Sequence, residues 1–397
     1  MPPNARRVAL LVETSKSLGR GILLGINRYV KEHEHWSIYL EPRDLETMPP
    51  PWLATWQGDG IIARVSSPKI AEIVIATSLP TVNVSSALPD LALHRVESNP
   101  HSQGRIAARY LFERGFRSFA FCGDEMHFSN WSRRVAVGFW EFLKECLDSE
   151  IPTREHYLGA TKRLDWDKEQ ALLGRWIGDL PKPVAILSIN DPIGLRVLEA
   201  CHKSGYQVPE HVAVLGLDND ELLCAMADPP LSSLIPNSQR LGYMAAEILD
   251  GLMRGQCPVN PVTSVEPVGI VTRLSTDVTA HHDDVVATAL IFIRKNACKG
   301  IVVDDIVKHV AISRSSLDRR FQSLLGRTPH DEIVRTKLKR AMQLLAETQL
   351  SLSEVAFKVG YEHAEYMSVV FRRELGVSAR EYRIQANDAP MGQIPDL

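Results

Sequence analysis

The chain has 397 residues, 45% of them apolar, with 45 Lys and Arg against 48 Asp and Glu and a net charge of −3. Such a length holds two or three domains, and such an apolar fraction excludes a disordered chain and allows large cores. Met1-Pro2-Pro3-Asn4-Ala5-Arg6-Arg7 leads straight into a strand pattern without an apolar leader. A cytoplasmic protein is therefore expected, not a secreted or membrane-spanning one.

In chain order, strand-like runs fall at 8–12, 37–40, 60–63, 81–84, 118–121, 184–187 and 212–215. Helical patterns lie between them, for example at 19–31, 103–114, 134–147, 192–204 and 238–252. Alternation of this kind means βαβ units and parallel sheets, and the continuous apolar runs suit buried parallel strands. Ligands of open α/β sheets sit beyond the carboxyl ends of the strands. Among such ends two stand out: Ser188-Ile189-Asn190-Asp191 after one run, and Asp218-Asn219 after another. Asp and Asn there can accept and donate several hydrogen bonds to a polyol, and a charged acceptor strengthens each one. Turn chemistry at strand ends is the competing account of Asn190 and Asp218. For Asp191, beside Pro192, it is a helix N-terminal charge.

These stretches, with Pro229-Pro230-Leu231-Ser232-Ser233-Leu234-Ile235, resemble the effector domain of the LacI/GalR regulators, which is similar to periplasmic sugar-binding proteins. The resemblance is strong over 184–250 and weaker over 8–110. It implies two α/β lobes with a sugar cleft between them. Carried onto this sequence, the cleft positions are Asn190, Asp218 and Asn237, with Asp191 as a further candidate. Either Arg133 or Arg134 supplies the basic contact, since the spacing from Arg134 to Gly138 is one residue off the family pattern. Trp131, beside that pair, is the candidate stacking face. Gly19-Arg20-Gly21 lacks the Walker spacing, so nucleotide binding is not expected.

Two helix-turn-helix patterns follow in residues 303–383. In the first, Leu317 and Phe321 lie one helical turn apart and should pack on Ile306 and Val310. In the second, Met367 and Phe371 should pack on Val355 and Val359. Ser313 is placed to cap the helix after the first turn. Ser351 and Glu354 form a capping box, and Gly360 suits the left-handed residue that ends the next helix. The segment 330–347 between the units reads as a helix of roughly 27 Å at 1.5 Å per residue. Two recognition helices held about one DNA turn, roughly 34 Å, apart can read successive major-groove segments. Residues 285–384 hold 17 Lys and Arg against 11 Asp and Glu, a net of +6, which leaves −9 for the rest of the chain. A basic module on an acidic body is the footprint of a phosphate-binding domain.

The string from Ile306 through Gly326-Arg327-Thr328-Pro329, Ala341-x-x-Leu344-Leu345, Val355-Ala356, Gly360-Tyr361 and Phe371 resembles the AraC/XylS family DNA-binding domain. One departure is Ala379, where that family usually has Pro. The exposed faces expected to meet double-stranded operator DNA carry Arg314, Ser315, Asp318 and Arg319 in the first unit. In the second they carry His363, Ala364, Glu365, Ser368 and Val369.

The expected architecture is a two-lobed periplasmic-binding-protein-like α/β domain with parallel sheets, followed by an all-α domain with two helix-turn-helix motifs. Its parts are an effector domain over 1–272, a linker over 273–284, an AraC-type domain over 285–387 and a tail over 388–397. That pairing resembles the xylose-operon regulators. As a family they imply an activator responding to D-xylose, with another pentose or related sugar as the alternative, that acts as a homodimer and works with RNA polymerase. No cofactor, metal or enzyme activity is expected. Cys122, Cys146, Cys201, Cys224, Cys257 and Cys298 show no C-x-x-C spacing and no Pro-Cys-His setting, which argues against a zinc site and a repair alkyltransferase. His281-His282-Asp283-Asp284 reads as solvated linker. A transport sugar-binding protein is the other rival, disfavoured by the basic module.

Overall fold

The computed structural model describes residues 5–33, 36–44, 49–124, 130–147, 154–158, 165–256, 260–277 and 283–388. Two compact units divide the chain. The first comprises 1–113, 118–208 and 213–276; the second comprises 277–397 with 114–117 and 209–212.

The first unit opens with β1 (Arg6–Leu11), α1 (Ser17–Glu32), β2 (Trp36–Leu40), β3 (Gly60–Ala63), α2 (Pro68–Ala76), β4 (Thr81–Asn83) and β5 (His94–Ser98). Next come α3 (Pro100–Glu113), β6 (Phe119–Asp124), α4 (Asn130–Cys146), β7 (Glu155–Leu158), α5 (Trp166–Asp179), β8 (Val184–Ser188) and α6 (Asp191–Lys203). It closes with β9 (Val212–Leu217), α7 (Glu221–Met226), β10 (Ser232–Ile235), α8 (Ser238–Met253), β11 (Val262–Val265) and β12 (Gly269–Val271). These strands make two six-stranded sheets, ordered β11-β5-β4-β3-β1-β2 and β12-β10-β9-β8-β6-β7. Pairing in the first sheet is parallel throughout, and β12 joins β10 antiparallel in the second. All residues of β8 and β9 are buried, as strands covered on both faces must be.

The lobes are not consecutive in sequence. Helix α8 packs on α1, and β11 pairs with β5, so the first lobe regains chain from the end of the unit. The polypeptide therefore crosses between lobes after β5, after β10 and after β11. Strands β5, β7, β10, β11 and β12 escape the sequence reading. β5 reads His94-Arg95-Val96-Glu97-Ser98, a charged alternation where an apolar run is the expected mark of a buried strand.

The second unit holds α9 (Asp284–Asn296), α10 (Val303–Val310), α11 (Arg314–Leu325), α12 (Pro329–Glu347), α13 (Leu352–Lys358), α14 (Ala364–Leu375) and α15 (Ala379–Asp388). Leu317 and Phe321 pack with Ile306, Val303 and residues of α9, with Val310 at the edge. Met367 and Phe371 pack with Val355 and Val359 in a separate core. All four anchors are fully buried, so truncation to Ala costs about 2–5 kcal/mol at Leu317 or Met367 and about 3–5 kcal/mol at Phe321 or Phe371. Ser313 Oγ accepts from Ser316 N at 3.3 Å, and Ser351 and Glu354 form the reciprocal box. Gly360 has φ +79°, and a Cβ there would lie 2.6 Å from the Cys298 carbonyl oxygen, so both conformation and space call for glycine.

Two features differ from the sequence reading. Residues 273–276 are not exposed linker: Ser275 and Thr276 are fully buried, Ser275 Oγ donates to Val214 O at 2.6 Å, and Arg273 N donates to Ser232 Oγ at 2.7 Å. Short hydroxylated residues there stitch β9 and β10, a role without a periodic signature. Asp283, read as solvated, instead caps α9 by accepting from Val285 N at 3.0 Å and pairs with Arg320. His281, His282 and Cys257 lie outside the described residues.

Candidate functional site

The polar ends of the parallel strands converge between the two lobes of the first unit. After β1, Glu13 is buried and its Oε1 pairs with Arg64 Nη1, from just past β3. Arg64 is held there by its own backbone, which donates to Leu11 O at 2.9 Å. The neighbouring loop is fixed by Asn83, whose Oδ1 accepts from Val65 N at 3.2 Å and Ser85 N at 3.0 Å. Asp218, at the end of β9 in the other lobe, faces Arg64 and Lys16. Burial raises the Asp218 carboxyl above its usual range, and those two cations pull against the rise. Burial likewise lowers the Arg64 guanidinium, with Asp218 opposing it. Arg20 Nη2 and Asp220 Oδ2, 3.5 Å apart, form a further bridge from lobe to lobe.

The turn carrying these groups is unusual. Asp218 and Asn219 have φ of +95° and +46°. Non-glycine residues there cost about 1–3 kcal/mol each and persist only where the surroundings enforce them. Buried polar atoms without a protein hydrogen-bond partner mark three strand ends: Glu13 Oε2, Ser188 Oγ and Asn219 Oδ1. Such atoms are rare in native proteins and call for a partner.

Of the sequence-predicted residues, Asn190 caps α6, its Oδ1 accepting from Ile193 N at 2.9 Å. That is the turn chemistry foreseen for it, and it leaves the amide nitrogen to donate. Asp191 is fully buried, and both its oxygens already accept, from Ser233 Oγ at 2.5 Å and Asp220 N at 2.6 Å. Asn237 precedes α8, half-buried, and its side chain does not cap the helix. Arg134 Nη1 reaches Glu97 Oε1 of β5 at 2.9 Å, whereas Arg133 lies on the exposed side of α4. Arg95 Nε flanks the same carboxylate at 2.9 Å. Trp131 Nε1 donates to Gln103 Oε1 at 3.3 Å. Sequence reasoning missed Glu13, Lys16, Arg64, Glu97 and Asp220, and singled out Asp218 of the Asp218-Asn219 pair but not Asn219. Glu13 and Arg64 do follow apolar runs, the signal that singled out Asn190 and Asp218, and could have been found by it.

In the second unit Arg314, Ser315 and Arg319 are exposed on α11, and Asp318 is half-buried between them. Arg314 Nη1 lies 3.4 Å from Asp304 Oδ1 of α10. On α14, Glu365 and Val369 are exposed, as is His363 before it; Ala364 and Ser368 are half-buried. Ser368 Oγ donates to Ala364 O at 2.9 Å, so the hydroxyl serves the helix itself. Tyr366 on α14 and Phe357 on α13 add exposed aromatic surface that sequence reasoning did not place there.

Comparison with known proteins gives this arrangement a family. Three domain families match: "XylR N-terminal domain" over 7–94, "Periplasmic binding protein-like domain" over 108–276 and "Helix-turn-helix domain" over 306–385. The xylose operon regulatory protein of Escherichia coli (strain K12) is 30% identical over 391 residues, covering 95% of this chain and 96% of that one. The chain belongs to the xylose operon regulator family. The Haemophilus influenzae xylose operon regulatory protein is 29% identical over 384 residues, 95% of this chain and 98% of that one. A solved structure described as the xylose-binding transcription activator xylR superposes with a TM-score of 0.81 at 28% identity, over 97% of this chain and 99% of that one. Members of the xylose operon regulator family are DNA-binding transcription regulators of AraC type, not enzymes, and the sensor lobes and helix-turn-helix pair described above are the two parts of that design. Among the described residues no helix is long and apolar enough to cross a membrane.

Proposed function

We propose that this chain is a cytoplasmic, homodimeric activator that binds D-xylose between the lobes of its first unit and operator DNA through its second. The observation that carries the sugar reading is the balance of charge in the cleft. Arg64 and Lys16 stand against Glu13 and Asp218, Arg20 against Asp220, and Arg134 and Arg95 against Glu97. A cleft whose cations are already matched favours a neutral polyhydroxyl ligand over a sugar phosphate. Asp218, Asn219, Asn190, Glu13 and Arg64 are the proposed direct contacts, with Asn237 and Arg134 at the margins. The three unpartnered buried atoms are acceptors or donors of the kind a ring hydroxyl satisfies. D-xylose is chosen because the family's relatives carry that sugar in their names.

Ligand bridging the lobes favours the closed form by its differential affinity for the two forms, and closure sets the DNA-binding units of the dimer. On DNA, Arg314 and Arg319 are the proposed base readers, with Ser315 and Asp318 beside them. The second unit presents His363, Ala364, Glu365 and Val369, and Ser368 contributes little. RNA polymerase is the proposed partner of the bound activator. Calorimetric titration with D-xylose, L-arabinose, D-ribose and D-ribose 5-phosphate tests the sugar reading. D-xylose should bind most tightly and the phosphate not at all; no heat from any neutral pentose, or tighter binding of the phosphate, would overturn it.

A further inference from the structure

We propose that Asp191 is a positioning residue for the sugar site, its buried carboxylate holding the 218–220 turn so that Asp218 and Asn219 meet the ligand, without touching the ligand itself. The inference rests on the sugar reading of the cleft. Asp191 opens α6 directly behind the turn and is fully enclosed. Its Oδ2 accepts from Asp220 N at 2.6 Å, and its Oδ1 accepts from Ser233 Oγ at 2.5 Å. Ser233 Oγ in turn accepts from Asn219 N at 3.0 Å. One carboxylate thus secures, directly or through a single hydroxyl, both amides that follow Asp218. The two residues with positive φ, Asp218 and Asn219, sit in that span. Strained turns keep their conformation only when the surroundings over-determine it, and this network is the determinant.

The sheet itself makes room for it. A Cβ at Gly216 of β9 would lie 2.3 Å from Asp191 Oδ1. Any larger residue at that position would push the carboxylate off the turn. Position 191 must also accept at both of its terminal atoms, which a carboxylate does and an amide, with a donor nitrogen in one place, cannot.

The pair has a titration signature. Burial first, then the nearby Asp218, pushes the Asp191 carboxyl up to about 7. The groups facing it are Asp218 and Asp220 from the turn and Cys224 from α7. Behind these, Arg64 and Lys16 face Asp218, Arg20 faces Asp220, and Arg273 faces Cys224. Protonation removes one acceptor, so the turn loosens and sugar affinity falls as pH drops through this value.

The test uses the full chain and Asp191→Asn. Hydrogen exchange at the Asn219 and Asp220 amides, read without ligand, should speed up in the variant. D-xylose affinity should fall by about tenfold, the lower end of what outer-shell partners of binding groups are worth. Affinities for D-xylose, L-arabinose and D-ribose should fall together, because no direct contact is lost. Between about pH 8 and about pH 6 the wild-type affinity should decline more than the variant's, which keeps only what Asp218 contributes. Unchanged exchange at the two amides, wild-type affinity, or a pH step as large in the variant as in the wild type would each overturn the proposal. Should Asp191→Asn not fold, Ser233→Ala cuts the same network and must loosen the same amides. Failure of the wild type to bind any pentose would remove the sugar reading alone, since the exchange measurement still decides whether Asp191 holds the turn.

Discussion

Replacing Asp277 by Asn probes the junction where the chain enters its second unit. The Asp277 carboxylate pairs with Lys339 and lies 3.5 Å from Arg335 Nη2, while its carbonyl accepts from Arg294. Arg294 Nε is also 3.2 Å from Glu210 Oε1. Three cations thus share two carboxylates. That excess of positive charge explains why both partners move the same way. Burial opposes the charge on Asp277, yet Lys339 and Arg335 outweigh it and hold the carboxyl below its usual range. Burial lowers Lys339, and Arg335 and Arg294 add to the fall that Asp277 resists. The Asn variant leaves three partly buried cations facing Glu210 alone. Breaking a buried pair from one side costs about 3–5 kcal/mol, and since Lys339 and Arg335 keep about a quarter of their surface, about 2–3 kcal/mol is expected. That corresponds to a melting temperature lower by about 10 °C for a unit of this size. A depressed carboxyl contributes stability that is present above its unfolded value, about 3.9, and lost as pH falls through the lower folded value. The acid limb of the wild type should therefore be steeper than that of the variant. All seven tryptophans lie at or before Trp176, so their emission follows the first unit, and helical dichroism outside that transition follows the second. A loss under about 0.5 kcal/mol, or one that appears in the tryptophan transition alone, would refute the reasoning.

Further outcomes follow from the cleft and the recognition helices. Arg64→Ala strands the buried Glu13 carboxylate; the first unit should lose about 3 kcal/mol in chemical unfolding, and D-xylose heats should vanish. Asp218→Asn removes charged hydrogen bonds worth about 1.5–3 kcal/mol, so calorimetry should show affinity roughly 10- to 150-fold weaker. Arg319→Ala should cost about 1–3 kcal/mol of discrimination at one base pair, read by competition among duplexes varied singly. Ser368→Ala should change those competitions by less than about 0.5 kcal/mol, because its hydroxyl already serves Ala364 O.

How far the sequence carried can be seen residue by residue. Both helix-turn-helix units were readable because Leu317, Phe321, Met367 and Phe371 sit at helical spacing beside good caps, and local chemistry suffices there. The central strands were readable because their two-sided burial demands unbroken apolar runs. Glu97 and Arg95 were not, since they occupy a strand whose charges pair with each other and, for Glu97, with Arg134 of α4 across the fold. Asp191 shows the limit most clearly. Its place in the sequence matches a ligand or a helix charge equally well, and only the positions of Ser233 and Asp220, about forty and thirty residues on, settle what its oxygens do. The turn at Asp218 and Asn219 depends on the same long-range contacts.

Coupling between sugar and DNA is the central claim, and one titration addresses it most directly. A duplex selected by the protein from a random-sequence library is bound to the full chain with and without D-xylose, at a concentration that fills the wild type but not the weakened Asp218→Asn site, for both proteins. The account predicts tighter DNA binding with D-xylose in the wild type and no response in the variant. Equal DNA affinity with and without sugar in the wild type, or the same gain in both proteins, would contradict it.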